Sequence, residues 1–276
     1  MDGADRGRAL RGAASVEPLG SGQFSVNLSP VYTVVGHPHG GYLQCVMAGG
    51  ALAGASEEGA THLHATALTT NFVNTTEPGV AQLHVEVRRL GRGVSFAYVA
   101  LFQNDELAAE SLVTLGTLRD DSSTRYQEAV MPVIDALEKC RQSTGSDEIN
   151  IMRVVDLRLD PSCTGWWHGE LSNQGEVRGW LRLDDGEASW DPWSLLLASD
   201  ALPPSTLPLG SSGWVPTLQL TSYVHRVPTS EWLRARQWAV VIADGLLDQR
   251  CELFDDTNQL VASSSQLAMV RLPSGH

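Results

Sequence analysis

Apolar and polar residues alternate along much of this 276-residue chain, in runs that are typical of β-strands. In the first half, such runs cover residues 65–74, 81–90, 94–103 and 107–118, and short turn sequences separate the last three. Before them, Tyr42 to Ser56 carries apolar residues at helical spacing and is rich in glycine and alanine, which would let a sheet approach the helix backbone closely. The pattern predicts one long helix followed by an antiparallel meander.

The second half repeats this order of elements. Strands are predicted at residues 151–159 and 176–183, a helix follows within residues 189–204, and four more strands follow at residues 217–226, 233–242, 246–254 and 260–272. The two halves align at an offset of about 150 residues, which indicates a duplicated fold. We therefore expect one domain at residues 16–120 and another at residues 150–276.

The residues between and before these domains lose the strand pattern. Residues 121–149 are predicted to be a linker with a short helical piece at residues 132–141. The first fifteen or so residues are charged and rich in small side chains, and we expect them to be loose.

One carboxylate interrupts the apolar face of the second predicted helix. That face consists of Trp193, Leu196, Leu197 and Asp200. Asp191 or Ser189 is expected to cap this helix, and Pro203 to end it, so Asp200 would lie in the last turn. There the helix dipole disfavours an anion by about 0.3–1 kcal/mol, and apolar burial raises the pKa of a carboxyl group. The structural alternative is that Asp200 is solvated at a frayed end or is hydrogen-bonded structurally.

Aligning the halves singles out three polar residues of the second copy. Asp200 stands against Gly50, Gln266 stands against Val113, and Thr217 stands against Thr66. A carboxylate, an amide and a hydroxyl together can hold and polarise one water molecule, without a serine or cysteine nucleophile. The alternative for Gln266 and Thr217 is the ordinary polarity of a half-exposed strand.

Composition excludes several classes of function. The chain has 32 acidic and 19 basic residues, a net charge of −13, which argues against nucleic acid or an anionic membrane as partner. No apolar run of about 18 residues predicts a membrane span. The four cysteines are scattered without metal-ligand spacing, and the glycine motifs of dinucleotide and phosphate binding are absent, so neither a metal nor a cofactor is predicted. A cytoplasmic protein is expected.

A long helix wrapped by an antiparallel sheet, present twice in one chain, resembles the double hot-dog thioesterases of the acyl-CoA thioesterase II type. The resemblance covers about residues 20–272 and implies an α+β double hot dog with two tandem helix-wrapped antiparallel sheets. The segments LLLASDAL, WVPTLQLTSYVHR and LVASSSQLAMVR match the family's positions for an Asp, a Thr and a Gln that orient the attacking water. The resemblance therefore implies catalytic roles for Asp200, Thr217 and Gln266.

The resemblance also suggests where substrate would bind. Gly40 and Gly41 in the segment HGGY look like the family's Gly-Gly entry to the first helix, where backbone N–H groups meet a thioester carbonyl. His39 and Tyr42 are expected to line an acyl entrance. The alternatives are an ordinary turn and a loop histidine. A hydratase needs an Asp beside such a His, and none is near in the sequence.

The resulting prediction is an acyl-CoA thioesterase of lipid metabolism that hydrolyses a fatty or related acyl thioester by direct water attack. Its expected partners are acyl-CoA and further copies of the chain in a homo-oligomer. One alternative is a non-catalytic acyl-CoA or fatty-acid binding protein on the same fold, and another is a purely structural β-rich interaction module. Both ligand hypotheses expect a cavity that ends beside Asp200.

Overall fold

The computed structural model describes residues 9–119, 123–146, 148–186 and 190–273. Its first half begins with a short helix and two strands, and a small hairpin leads into the long helix and a four-stranded meander. The elements are α1 Leu10–Ala13, β1 Glu17–Gly20, β2 Gln23–Leu28, β3 Thr33–Val34, β4 His37–Pro38, α2 Gly40–Glu57, β5 His64–Phe72, β6 Gly79–Arg89, β7 Ser95–Gln103 and β8 Glu106–Gly116.

The second half has the same order of strands, helix and meander. Its elements are β9 Arg141–Ser143, β10 Val155–Leu159, β11 Glu176–Leu183, α3 Leu195–Ala198, β12 Thr217–Val224, β13 Leu233–Ala243, β14 Leu246–Phe254 and β15 Leu260–Met269. Short 3₁₀ turns at Asn150–Arg153, Pro161–Cys163, Gly165–His168 and Leu207–Leu209 lie in the connections. The repeated order predicted from the sequence is therefore present.

The two halves share one antiparallel sheet of 13 strands, in the order β1-β2-β6-β7-β8-β5-β12-β15-β14-β13-β11-β10-β9. The prediction of two separate sheets is wrong because β5 of the first half pairs directly with β12 of the second. Without this pairing, β5 and β12 would each be an edge strand with unpaired backbone groups. Thr69 faces Thr221 at this seam, and the strand order outward from it is nearly mirrored, so the halves are related by an approximate two-fold axis.

Helix α2 packs on the inner face of the first half through its glycines. A Cβ atom added to Gly50 would lie 2.7 Å from Cδ1 of Leu83, and one added to Gly54 would lie 2.7 Å from Cγ1 of Val85. Both neighbours belong to β6. The small residues thus allow the close approach of helix and sheet that the sequence predicted.

Helix α3 is much shorter than predicted. Its α-helical part has four residues, although hydrogen-bonded turns run from Asp191 to Ala201. The hydroxyl of Ser199 donates to the carbonyl of Leu196 at 2.9 Å, a local bond that competes with helix continuation. The N-cap of α3 is Ser194, which makes no side-chain capping bond, so the predicted cap position is wrong; Asp191 Oδ1 accepts from the Ser194 N–H at 2.7 Å in the turn that precedes the helix. Ser189, the other proposed cap, lies outside the described residues.

Two predictions about the connecting segments are also wrong. The helical piece at 132–141 is replaced by one 3₁₀ turn, Leu137–Lys139, and by β9, which pairs with β10 at the sheet edge. The N-terminal residues are packed from Leu10 onward because the side chains of Leu10, Ala13 and Ala14 are buried in the core. The domain boundaries stay a prediction. No helix in the described part of the chain is long and apolar enough to cross a membrane.

Candidate active site

Asp200 lies at the N-terminus of the first-half helix. Its Oδ2 accepts a hydrogen bond from the backbone N–H of Gly41 at 2.9 Å, at the second residue of α2. The expectation of an unfavourable helix dipole is therefore wrong. Asp200 follows a helical segment too short to carry a large dipole, whereas the 18-residue α2 points its positive end at the carboxylate.

The protonation of Asp200 is set by opposing effects. Burial raises the pKa of the Asp200 carboxyl above its ordinary value of 3.8, while His39 and the Gly41 N–H act in the lowering direction. The side chain is 10% exposed, so solvent reaches it at a limited opening. Within the described residues, no hydrogen bond is made to its second oxygen, Oδ1. The result is a carboxylate that holds a proton more readily than a surface aspartate does.

His39 joins Asp200 from the first half. Its Nε2 lies 2.9 Å from the carbonyl oxygen of Asp200 and 3.4 Å from Oδ2. Because a carbonyl oxygen only accepts, Nε2 carries the proton and donates. The other ring nitrogen, Nδ1, is buried and has no partner among the described residues. Although no Asp is near His39 in the sequence, Asp200 is adjacent to it in space, so the sequence argument against a hydratase does not hold.

The two glycines before Tyr42 are required by close packing between the halves. A Cβ on Gly40 would lie 2.8 Å from Oδ2 of Asp200, and a Cβ on Gly41 would lie 2.7 Å from the carbonyl oxygen of Leu196. The Gly41 N–H, expected to meet a thioester carbonyl, donates instead to Asp200. The backbone N–H groups of Gly40 and Tyr42 make no hydrogen bond to another described residue.

The prediction that Tyr42 lines an acyl entrance is wrong. Its side chain is fully buried and stacks on Tyr32, with 4.9 Å between the ring centroids. Its hydroxyl donates to the carbonyl of Ala13 at 2.6 Å and accepts from the N–H of Ser29 at 3.1 Å. Burial raises the pKa of Tyr42 to about 12. Tyr42 is therefore a core residue that anchors the N-terminal segment on α2.

Gln266 and Thr217 meet on the inner face of the second half. The Gln266 amide Nε2 donates to the Thr217 hydroxyl oxygen, although the two residues lie on different strands, β15 and β12. The register places Gln266 where the first half has Val113, as aligned. It places Thr217 against Ala65, not Thr66, because Thr66 lies at a bulge and bonds the carbonyl of Thr114. Thr217 therefore also lacks a polar counterpart.

The segment that carries Asp200 crosses the same face. The carbonyl of Ser199 accepts from the hydroxyl of Ser264 on β15 at 2.8 Å, two residues from Gln266. Further along, the carbonyl of Pro203 accepts from Gln237 on β13 at 2.9 Å. Asp200 thus lies over the patch that includes Gln266 and Thr217, but within the described residues it makes no hydrogen bond to either.

Sequence reasoning missed Gln249. Its Nε2 donates to Oε1 of Gln266, and its own Oε1 accepts from the hydroxyl of Ser205 at 2.9 Å. The signal available in the sequence was the alternation of side chains along β14, because it places Gln249 on the same buried face as Leu247 and Cys251. This alternation does not distinguish Gln249 from Gln237, which is equally buried on β13 and donates to the carbonyl of Pro203.

Two cavities in the described structure lie away from Asp200. One, of about 370 Å³, lies between α1 and α2 beside Trp193, and the other, of about 400 Å³, lies between residues 123–129 and the end of β12. The expected cavity beside Asp200 is therefore neither of these two. No group of three or more potential metal ligands occurs in the described ranges.

Both halves of the chain match models of one enzyme family. Residues 28–116 match the acyl-CoA thioesterase N-terminal domain, and residues 134–270 match the acyl-CoA thioesterase C-terminal domain. These two ranges contain Asp200, Thr217, Gln249 and Gln266 as well as the start of α2.

Known structures and sequences are similar over nearly the whole chain. A crystal structure of a candidate thioesterase II from Thermobifida fusca is 30% identical, covers 95% of this chain and 97% of its own, and has a TM-score of 0.86. A hot-dog protein of unknown function from Alicyclobacillus acidocaldarius is 20% identical, covers 96% and 98%, and has a TM-score of 0.81, which shows the fold. An uncharacterized protein of Mycobacterium tuberculosis is 26% identical over 90% of each chain.

Proposed function

Because this chain belongs to the acyl-CoA thioesterase family and is a thioester hydrolase, we propose that it cleaves an acyl-CoA by direct attack of water. In this proposal Asp200 is the base, and Gln266 and Thr217 orient the water. The acyl group is fatty or related to a fatty acid. The protein acts in the cytoplasm, in lipid metabolism, and assembles as a homo-oligomer.

The observation that carries this proposal is the environment of Asp200. Its Oδ2 is held by the Gly41 N–H, and its Oδ1 has no hydrogen bond from a described residue. A raised pKa brings the carboxyl closer to the pH range in which a general base works best. Asp200 is therefore both fixed in position and able to take a proton.

The reaction balances without a covalent enzyme intermediate. The oxygen of one water bonds to the thioester carbonyl carbon while a water proton moves to Asp200. The tetrahedral oxyanion then collapses, the carbon–sulfur bond breaks, and the CoA thiolate leaves and takes the proton. The products are one carboxylic acid and one thiol.

The oxyanion is stabilised by backbone N–H groups at the start of α2. With the Gly41 N–H occupied by Asp200, the donors are those of Gly40 and Tyr42. A donor of this kind contributes about 3 kcal/mol to a transition state. His39 holds the Asp200 backbone against the helix start by its bond to the Asp200 carbonyl.

The test is a panel of acyl-CoA substrates of different chain length and branching, incubated with the wild-type protein. Equal amounts of free thiol and free acid, formed repeatedly per protein molecule, are expected for at least one of them. Tight binding with no thiol release would favour the binding protein on the same fold. Neither binding nor release would favour the structural module.

A second candidate reaction is favoured by one contact, the 3.4 Å separation of His39 Nε2 and Asp200 Oδ2. A His and an Asp this close can catalyse the addition of water to the double bond of an enoyl-CoA, or the reverse elimination of water. The same panel, with an enoyl-CoA included, separates the two. Loss of the conjugated double bond without thiol release would identify a hydratase, and thiol release with the double bond intact is the expected result.

A further inference from the structure

The amide of Gln266 is held at both of its ends. Its Nε2 donates to the Thr217 hydroxyl oxygen, and its Oε1 accepts from Nε2 of Gln249. A glutamine that orients water can present either its oxygen or its nitrogen, and these have opposite effects on the water. What faces the reaction therefore depends on the group that fixes the direction of this amide.

Gln249 has one possible direction. Its Oε1 accepts from the hydroxyl of Ser205 at 2.9 Å and from the backbone N–H of Ser205 at 3.4 Å. A backbone N–H donates and never accepts, so the oxygen of Gln249 must face Ser205. Its nitrogen is then forced toward Gln266, whose oxygen must accept. The direction is transmitted along Ser205, Gln249, Gln266 and Thr217, which we call the amide chain.

We propose that Gln249 is a positioning residue for hydrolysis, because it makes Gln266 present N–H groups and keeps its carbonyl oxygen away from the water. This inference rests on the proposed function. It leaves Asp200 as the acceptor of the water proton, because the Gln266 oxygen points toward Gln249 and the neutral hydroxyl of Thr217 is a far weaker base than a carboxylate.

The location of the amide chain supports a role in the reaction. Ser205, Gln249 and Gln266 are all buried, and fixing two buried glutamine side chains costs conformational entropy. The first half has Ala97 at the register position of Gln249, and Ala97 packs there without polar groups. The fold therefore does not require an amide at this position.

The test replaces Gln249 by Met, which keeps the volume and removes the donor. Gln237→Met is the matched control, because Gln237 is equally buried on the neighbouring strand and binds Pro203 instead of Gln266. Gln249→Met is expected to lower kcat for thiol release about 10-fold or more with KM changed less than about 3-fold. Gln237→Met is expected to keep kcat within about 3-fold.

A double-mutant cycle separates positioning from packing. If Gln249 acts through Gln266, Gln249→Met has little further effect on kcat in a Gln266→Met background. The same full loss in both backgrounds would overturn the proposal, and so would a kcat for Gln249→Met that matches the control. If Gln249→Met does not fold, Ser205→Ala provides the second test, with a smaller loss of kcat expected and an unchanged kcat contradicting the proposal.

The outcomes also distinguish this inference from the proposed function. If the wild-type protein turns over acyl-CoA, and kcat falls on replacement of Asp200 but not on replacement of Gln249, only the proposed role of Gln249 is wrong. A wild-type protein that releases no thiol from any acyl-CoA would remove the proposed function, and the role of Gln249 with it.

Discussion

Equivalent positions on the inner faces of the two halves carry opposite chemistry. The first half has Ala65, Ala97 and Val113, all buried and apolar, where the second half has Thr217, Gln249 and Gln266. The apolar set shows that the fold is satisfied without hydrogen bonds here. The polar set must be fully paired to avoid a desolvation penalty of about 1–3 kcal/mol for each unpaired group. The asymmetry is therefore the feature that points to a reaction.

Polar residues shared by both halves have a different role. Thr70 and Ser111 in the first half correspond to Ser222 and Ser264 in the second, and Gln44 of α2 lies between the halves. The Gln44 amide donates to the Thr70 hydroxyl at 3.1 Å and accepts from the Ser222 hydroxyl at 2.7 Å. These hydrogen bonds connect the two halves where β5 pairs with β12. The buried polar pairs that occur in both halves are structural, whereas Thr217, Gln249 and Gln266, which occur in the second half alone and bond one another, form the candidate site.

The largest effect is expected from giving the second half the residues of the first. Thr217→Ala combined with Gln266→Val is expected to lower kcat about 100-fold, because the water loses its orienting groups. Each single replacement is expected to cause most of this loss, since the two residues act as one unit. Steady-state thiol release measures it. The reverse replacement Val113→Gln in the first half is the control, and an equal loss of kcat there would contradict the comparison.

The close approach of the halves at α2 predicts a loss of stability. Gly41→Ala is expected to lower the free energy of unfolding by about 1–3 kcal/mol, because the new Cβ meets the backbone of Leu196. Gly49→Ala on the same helix is the matched control. Its Cβ would be 3.7 Å from the nearest atom, and it is expected to stabilise by up to about 1 kcal/mol. Denaturant unfolding measures both, and equal effects would show that the contact is loose.

The smallest effect concerns the stability cost of the carboxylate. The pKa of Asp200 is raised in the folded protein, so stability falls as pH rises through this pKa and remains lower at neutral pH. Asp200→Asn is therefore expected to unfold at a higher temperature than wild type at pH 7. The difference should disappear below the ordinary pKa of 3.8, where both side chains are neutral. Thermal unfolding of both proteins across this pH range measures the difference. A variant less stable than wild type at pH 7 would contradict a destabilising buried carboxylate.

Much of the fold was predictable because strand patterns are local. The predicted strands at 176–183 and 246–254 have the observed bounds, and α2 begins two residues before its predicted start. The errors occur where distant residues decide the structure. The union of the two sheets depends on β5 meeting β12, and the burial of Leu10 depends on the second half, since its N–H bonds Asp185.

The candidate site was predictable residue by residue but not as an arrangement. Asp200 stood out because it interrupts an apolar face, yet its partner Gly41 is 159 residues away in the sequence. Tyr42 was misjudged because proximity to the glycines says nothing about the direction of its side chain. Gln249 was missed because alternation identifies a buried position without identifying what the residue binds.

The role of Asp200 in the second half is the claim on which the account depends. Its most direct test is kcat for thiol release by Asp200→Asn at saturating acyl-CoA, with acyl-CoA binding measured on the same preparation. Asn retains an oxygen to accept from the Gly41 N–H and loses the ability to take a proton. The account predicts a fall of at least about 100-fold with binding retained. A variant that binds acyl-CoA and hydrolyses it at the wild-type rate would contradict it.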